Sequence, residues 1–138
     1  AGVCGVVSLV VDTGVTPYRY AVSIAPGATL AAHGGSGGDA YSFRCPTGQV
    51  VTGVSGRYGS EVDAFGVRCS TLAVTGSPGS FTVAPTPASS SPLFGGSGGS
   101  PFSEICAGGG VVRGLLGRSG ARVDAIGQRC GSVTATLR

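Results

Sequence analysis

"GRYGSEVDAFGVRC" occupies Gly56–Cys69, and "GRSGARVDAIGQRC" occupies Gly117–Cys130. The pattern Gly-Arg-x-Gly-x-x-Val-Asp-Ala-x-Gly-x-Arg-Cys is kept at both places, while the residues inside the turn change from Ser60-Glu61 to Ala121-Arg122. The repeat extends outward without a gap. "GGSGGDAYSFRCPTGQVVTGVSGRYGSEVDAFGVRC" (34–69) matches "GGSGGSPFSEICAGGGVVRGLLGRSGARVDAIGQRC" (95–130). Self-similarity of this kind marks repeated supersecondary units.

Each unit reads as a Gly-rich loop followed by three short strands, expected at Tyr41–Cys45, Gln49–Gly56 and Val62–Leu72 in the first copy. The second copy places them at Phe102–Cys106, Gly110–Gly117 and Val123–Ala135. Period-two alternation puts Phe65, Val67 and Cys69 on one face and turns Arg68 and Arg129 outward. "CGVVSLVVD" at the N-terminus looks like the tail of a unit whose front half is missing, with Cys4 in the place of Cys69 and Cys130. Residues 1–30 are therefore expected to supply two strands, near Val6–Asp12 and Arg19–Ala25. Residues 70–92 are expected to supply up to two more, with "APTPASSSP" (84–92) read as a loop or ordered turn.

Composition agrees with an all-β chain. Of 138 residues 27 are Gly and 8 Pro, with no strict triplet period, which excludes collagen; 41% hydrophobic residues exclude a disordered chain. The length suits a single domain spanning 1–138. No apolar run is long enough to span a membrane as a helix. The net charge of +3 comes from nine scattered Arg, with no Lys, so nucleic-acid binding lacks its electrostatic stripe. The chain begins at Ala1 without Met, consistent with removal of a signal peptide.

The cysteines are Cys4, Cys45, Cys69, Cys106 and Cys130. No CxxC pair occurs, and one His cannot complete two zinc sites, so a metal centre is not expected. Equal spacing inside equal sequence predicts one disulfide per repeat, Cys45–Cys69 and Cys106–Cys130, and with them an oxidising compartment and secretion. Cys4 is left over, either as a buried thiol or as the link of a disulfide-joined homodimer.

"FGGSGGSPFSEI…GGGVVRGLLGRSGARVDAIGQ" (94–128) resembles the C-terminal signature of the jacalin-related lectins, and 34–68 resembles their N-terminal one. The resemblance implies a β-prism I: three antiparallel Greek-key sheets with pseudo-threefold symmetry. The interval between the two Gly-rich loops is shorter than the family's, so the third sheet is expected from residues 1–30 plus 70–92. The paired cysteines depart from the plant lectins. "CPTGQVVTGV…VRC" is similar instead to the vitelline membrane outer layer protein family, disulfide-linked β-prisms of extracellular coats.

The resemblance also implies a site. In the lectins a Gly-x-x-x-Asp loop binds glycans without a metal or cofactor, assisted by a neighbouring Gly-rich loop. The matching positions are Gly59, Ser60, Glu61 and Asp63 in one copy and Gly120, Ala121, Arg122 and Asp124 in the other, with Gly35 and Gly96 from the Gly-rich loops. The chemistry is sound: a carboxylate accepts from two vicinal hydroxyls in charge-assisted bonds, and glycine lets backbone donors approach closely. The bland alternative is that Gly59 and Gly120 serve only a left-handed turn and that Asp63 and Asp124 cap turn amides. That alternative goes with a non-catalytic coat or protein-binding β-prism. Tyr58 gives the first loop an aromatic neighbour for stacking, whereas Ser119 offers none to the second. Glu61 and Arg122 give the loops opposite charge, so the two are expected to differ in ligand, or one to be silent.

Catalysis is not expected. His33 has no named partner and reads as a solvated loop residue. The carboxylates Asp12, Asp39, Glu61, Asp63, Glu104 and Asp124 include no opposed pair with room for a sugar between its members. Nor does a Lys-Ser/Thr or a helix follow the Gly-rich loops, which excludes a phosphate cradle.

Overall fold

A computed structural model describes residues 2–136. It is all-β, with three antiparallel sheets, as the β-prism resemblance implies. β1 (Val3–Asp12) and β2 (Arg19–Thr29) form a two-stranded sheet. β3 (Gln49–Tyr58), β4 (Val62–Ser77), β5 (Ser80–Ser90), β6 (Phe94–Gly95) and β7 (Ser100–Ile105) form the largest, in the order β5-β4-β3-β7 with β6 also on β4. A 3₁₀ turn at Ala107–Gly109 leads to β8 (Val111–Ser119) and β9 (Val123–Gly131), the third sheet.

The repeat survives in the backbone. Both hairpins, β3–β4 and β8–β9, carry register shifts at equivalent places, at Val51/Gly53 and Arg57/Tyr58 in one and at Val112/Gly114 and Arg118/Ser119 in the other. Such bulges re-aim side chains and increase twist. Both cystines form as the spacing predicts, with Cα–Cα distances of 5.7 Å for Cys45–Cys69 and 5.6 Å for Cys106–Cys130. Each lies within one unit in sequence, yet Cys106–Cys130 joins the end of β7 in the large sheet to β9 in the third.

The front of each unit pairs away from its own hairpin. β6 and β7 belong to the second unit by sequence, but they lie against β4 and β3 of the first: Phe94 opposite Phe65, Phe102 opposite Gly56 and Glu104 opposite Val54. This cover takes Val54 to 1% exposure. Its counterpart Leu115 on β8 is 45% exposed, because the equivalent front segment of the first unit forms no ladder on β8.

Four expectations change. Tyr41–Cys45 is not a strand, and Cys45 is tied to β4 by its cystine. "APTPASSSP" is mostly strand: β5 runs through to Ser90, and its prolines are tolerated because β5 is an edge, where a missing N–H breaks no ladder bond. β9 ends at Gly131 rather than Ala135. Cys4 is an exposed thiol, not a buried one. The third-sheet expectation is met in part. β1–β2 and β4–β5 approach each other, with the Tyr20 and Phe81 rings 4.7 Å apart between centroids. No ladder joins the two hairpins, and 70–92 extends the large sheet instead.

Glycine is required where strands meet most closely. A Cβ on Gly56 would strike the carbonyl oxygen of Ala64 and lie 2.7 Å from the Phe102 ring. At the equivalent Gly117 the same carbonyl, on Ala125, blocks it. Gly56→Ala therefore overpacks a backbone contact that cannot yield, and the expected loss is about 1–3 kcal/mol. A urea unfolding midpoint compared with that of the parent chain checks it; an unchanged midpoint contradicts the packing described.

Candidate functional site

The loop Gly59–Asp63 closes the β3–β4 hairpin, and Gly120–Asp124 closes β8–β9. The same turn forms in both: the N–H of Gly59 donates to the Glu61 carbonyl at 2.9 Å, and that of Gly120 to the Arg122 carbonyl at 2.9 Å. Neither glycine has a positive φ, so the turn itself does not require glycine at either position. A Cβ on Gly59 would instead lie 3.7 Å from the Asp63 carboxylate, and one on Gly120 would lie 3.9 Å from that of Asp124. At each corner the glycine thus lets the backbone of the turn come within van der Waals reach of its acid.

The acids themselves are not used by the turn. Among the described residues neither the Asp63 nor the Asp124 carboxylate accepts a hydrogen bond. By contrast, Asp12 in the first hairpin does take a turn amide, that of Gly14, at 2.9 Å. Asp63 is half-buried and Asp124 exposed.

Gly-rich loops flank both corners, and they come from the opposite unit. The N–H of Gly96 donates to the Asp63 carbonyl at 2.7 Å, and a Cβ on Gly98 would stand 2.9 Å from the Asp63 carboxylate. Gly35 lies against the backbone of Ala121, where a Cβ would stand 2.8 Å from the carbonyl oxygen. Each corner thus joins a carboxylate loop of one unit to a glycine loop of the other. Here glycine is a backbone requirement. Gly34 and Gly38 have φ of 129° and 80°, and their equivalents Gly95 and Gly99 have 127° and 66°.

The two corners differ in rigidity. Arg57 donates through Nε to the Gly98 carbonyl and through Nη2 to the Gly99 carbonyl, both at 2.7 Å, a fork that fixes the loop in two directions. The equivalent Arg118 makes no such bond to Gly37 or Gly38 among the described residues. The first corner also has an aromatic wall, with Tyr58 half exposed at 52% and braced edge-on by Phe102 at 5.9 Å. Immediately before Gly95, Phe94 is stacked by Tyr41 at 4.8 Å and 11°.

The expected site residues therefore fall into two groups: Gly59, Ser60, Glu61, Asp63 and Gly96 in one corner, and Gly120, Ala121, Arg122, Asp124 and Gly35 in the other. The corners touch through an ion pair, Arg122 Nη1 to Glu61 Oε1 at 2.5 Å. Sequence reasoning missed Arg57, Gly98 and Gly99. The retained Arg of Gly-Arg-x-Gly was the available signal, but its carbonyl partners lie in the other repeat. A cleft of about 420 Å³ lies elsewhere, lined among others by Thr52, Ser70, Pro87, Ser89 and Ile105. None of the four loops reaches it, and its hydroxyls Thr52 and Ser70 already bond each other at 2.6 Å.

Removing the fork should loosen one loop without unfolding the protein. In Arg57→Gln, amide exchange at Gly98 and Gly99 is expected to rise by about tenfold, while the β3 and β4 amides stay protected. Exchange unchanged at both glycines would show that the loop holds itself.

The family model for the jacalin-like lectin domain matches residues 26–128. No curated protein and no solved structure matches the chain.

Proposed function

The chain belongs to the jacalin-like lectin domain family, a non-catalytic family whose membership implies carbohydrate binding, and from that premise we propose that it is a secreted lectin gripping glycans at the loops Gly59–Asp63 and Gly120–Asp124. The reading takes residues 1–138 as a single domain.

The observation that carries the proposal is the pair of unengaged carboxylates, each beside a glycine that its turn does not need. A carboxylate held this way accepts from two hydroxyls of a sugar, and the glycine face admits the ring. The first corner is the stronger of the two. Its glycine loop is clamped by Arg57, which lowers the ordering cost on binding, and Tyr58 offers an apolar face for the ring carbons. Binding at these corners needs no metal, since the contacts are carboxylate, amide and ring. The two cystines suit an oxidising environment, which supports secretion. Cys4, a free thiol exposed near the start of β1, is available to link a second copy.

On a glycan array, Asp63→Asn and Asp124→Asn are each expected to lose about 2 kcal/mol of binding at their own corner. Gly59→Ala should melt within a few degrees of the parent, because its φ is ordinary, yet lose first-corner binding as the new methyl narrows the space. Binding should persist in EDTA. Retention of no glycan by the parent chain would leave the loops as turns and favour the coat-protein alternative. Under non-reducing electrophoresis a band of twice the monomer mass, absent in Cys4→Ser, is expected; a monomer alone would refute the link.

A further inference from the structure

The two corners meet at equivalent positions. Glu61 and Arg122 occupy the same place in the two loops, and they bond across the gap. We propose that the loops form one continuous site for an oligosaccharide, with the Glu61–Arg122 pair at its centre and a carboxylate at either end. The inference rests on the reading of these loops as glycan-binding.

Three observations carry it. First, the loops touch one another in series. The Gly95–Gly99 loop abuts Asp63, the ion pair joins Glu61 to Arg122, and Gly35 abuts Ala121. Second, the central pair retains binding capacity. Arg122 is 74% exposed, and Nη1 is its only engaged nitrogen among the described residues; Glu61, at 28%, uses Oε1. A guanidinium edge next to a carboxylate oxygen presents donor beside acceptor. Vicinal hydroxyls, each able to give and take one bond, match that arrangement. Third, each Asp lies two residues from its member of the pair, up to about 7 Å of chain on either side. A ligand resting on the pair therefore has both acids within that reach. The ends are unlike, with Tyr58 at one and Ser119 at the other, so the bound oligosaccharide has a fixed direction, its terminal ring on Tyr58.

Titration calorimetry on the full chain tests this with mannose, galactose, glucose and the linear oligomers of each, two to five residues long. For the sugar series that binds, affinity is expected to rise about tenfold or more between the monosaccharide and the longer oligomers, at one oligomer per chain. Glu61→Gln and Arg122→Gln should weaken the oligomer several-fold more than the monosaccharide, and the exchange Glu61→Arg with Arg122→Glu should restore part of the loss. Circular dichroism melts confirm that the variants fold, which an exposed pair permits. Two oligomers per chain, an affinity indifferent to length, or equal losses for short and long ligands would overturn the single site while leaving the separate corners standing. No binding by any series, with an empty glycan array as well, would overturn the underlying reading too.

Discussion

Each cystine lies inside a repeat in sequence, and Cys106–Cys130 ties the large sheet to the third; the rest of the structure depends on that constraint. Few side chains leave water completely; Val54 and Cys69 are the largest that do. A domain with so little buried apolar surface cannot fix sheet against sheet by hydrophobic packing alone. Cross-links over 24 residues of sequence replace part of that missing core, at about 3 kcal/mol each in the chain-entropy view. Glycine does the complementary task. Where Gly56 meets Ala64 and Phe102, the strands approach too closely for any side chain, so packing becomes backbone on backbone. Cystine supplies tethering and glycine supplies proximity, and together they suit a chain with abundant Gly and no Trp or Met.

The same constraint builds the candidate site. Because the second unit's front strands cover the first unit's hairpin, the Gly95–Gly99 loop arrives at Asp63 rather than at Asp124. Gly35 in turn arrives at Ala121. Neither unit is self-sufficient: each contributes a carboxylate to one corner and a glycine loop to the other. A single excised repeat would hold both kinds of loop and could not bring them together.

Much of this was legible in the residues. The hairpins β3–β4 and β8–β9, the two cystines and the outward Arg68 and Arg129 all follow from local periodicity and from spacing that two copies confirm for each other. What was not legible depends on partners distant in the chain. Tyr41–Cys45 has the alternation of a strand, but a strand needs an edge to join, and this segment forms no ladder on β8. "APTPASSSP" has the composition of a loop, yet its prolines fit β5 because β5 is an edge. Gly59 read either as a binding-loop glycine or as a left-handed turn residue; its ordinary φ shows that the turn tolerates other residues and that the missing side chain would face Asp63. Arg57 was visible as a repeated residue, but its bond to Gly98 and Gly99 crosses between units and has no local signature.

One place where the copies differ, Ser60-Glu61 against Ala121-Arg122, has a physical reason that only the structure supplies. Equivalent positions of two copies usually lie apart, and either charge would serve at each. Here they touch. Two glutamates at that distance would repel, and two arginines would as well, and the repulsion would open the face on which the corners meet. A duplicated loop that packs against its own copy can keep its backbone devices, the bulge, the turn bond and the glycine, because those point along each hairpin. It cannot keep a charged side chain at the point of contact. Divergence to opposite signs relieves the repulsion and draws the loops together. The difference that set the two loops apart in the sequence is, in space, the contact that joins them.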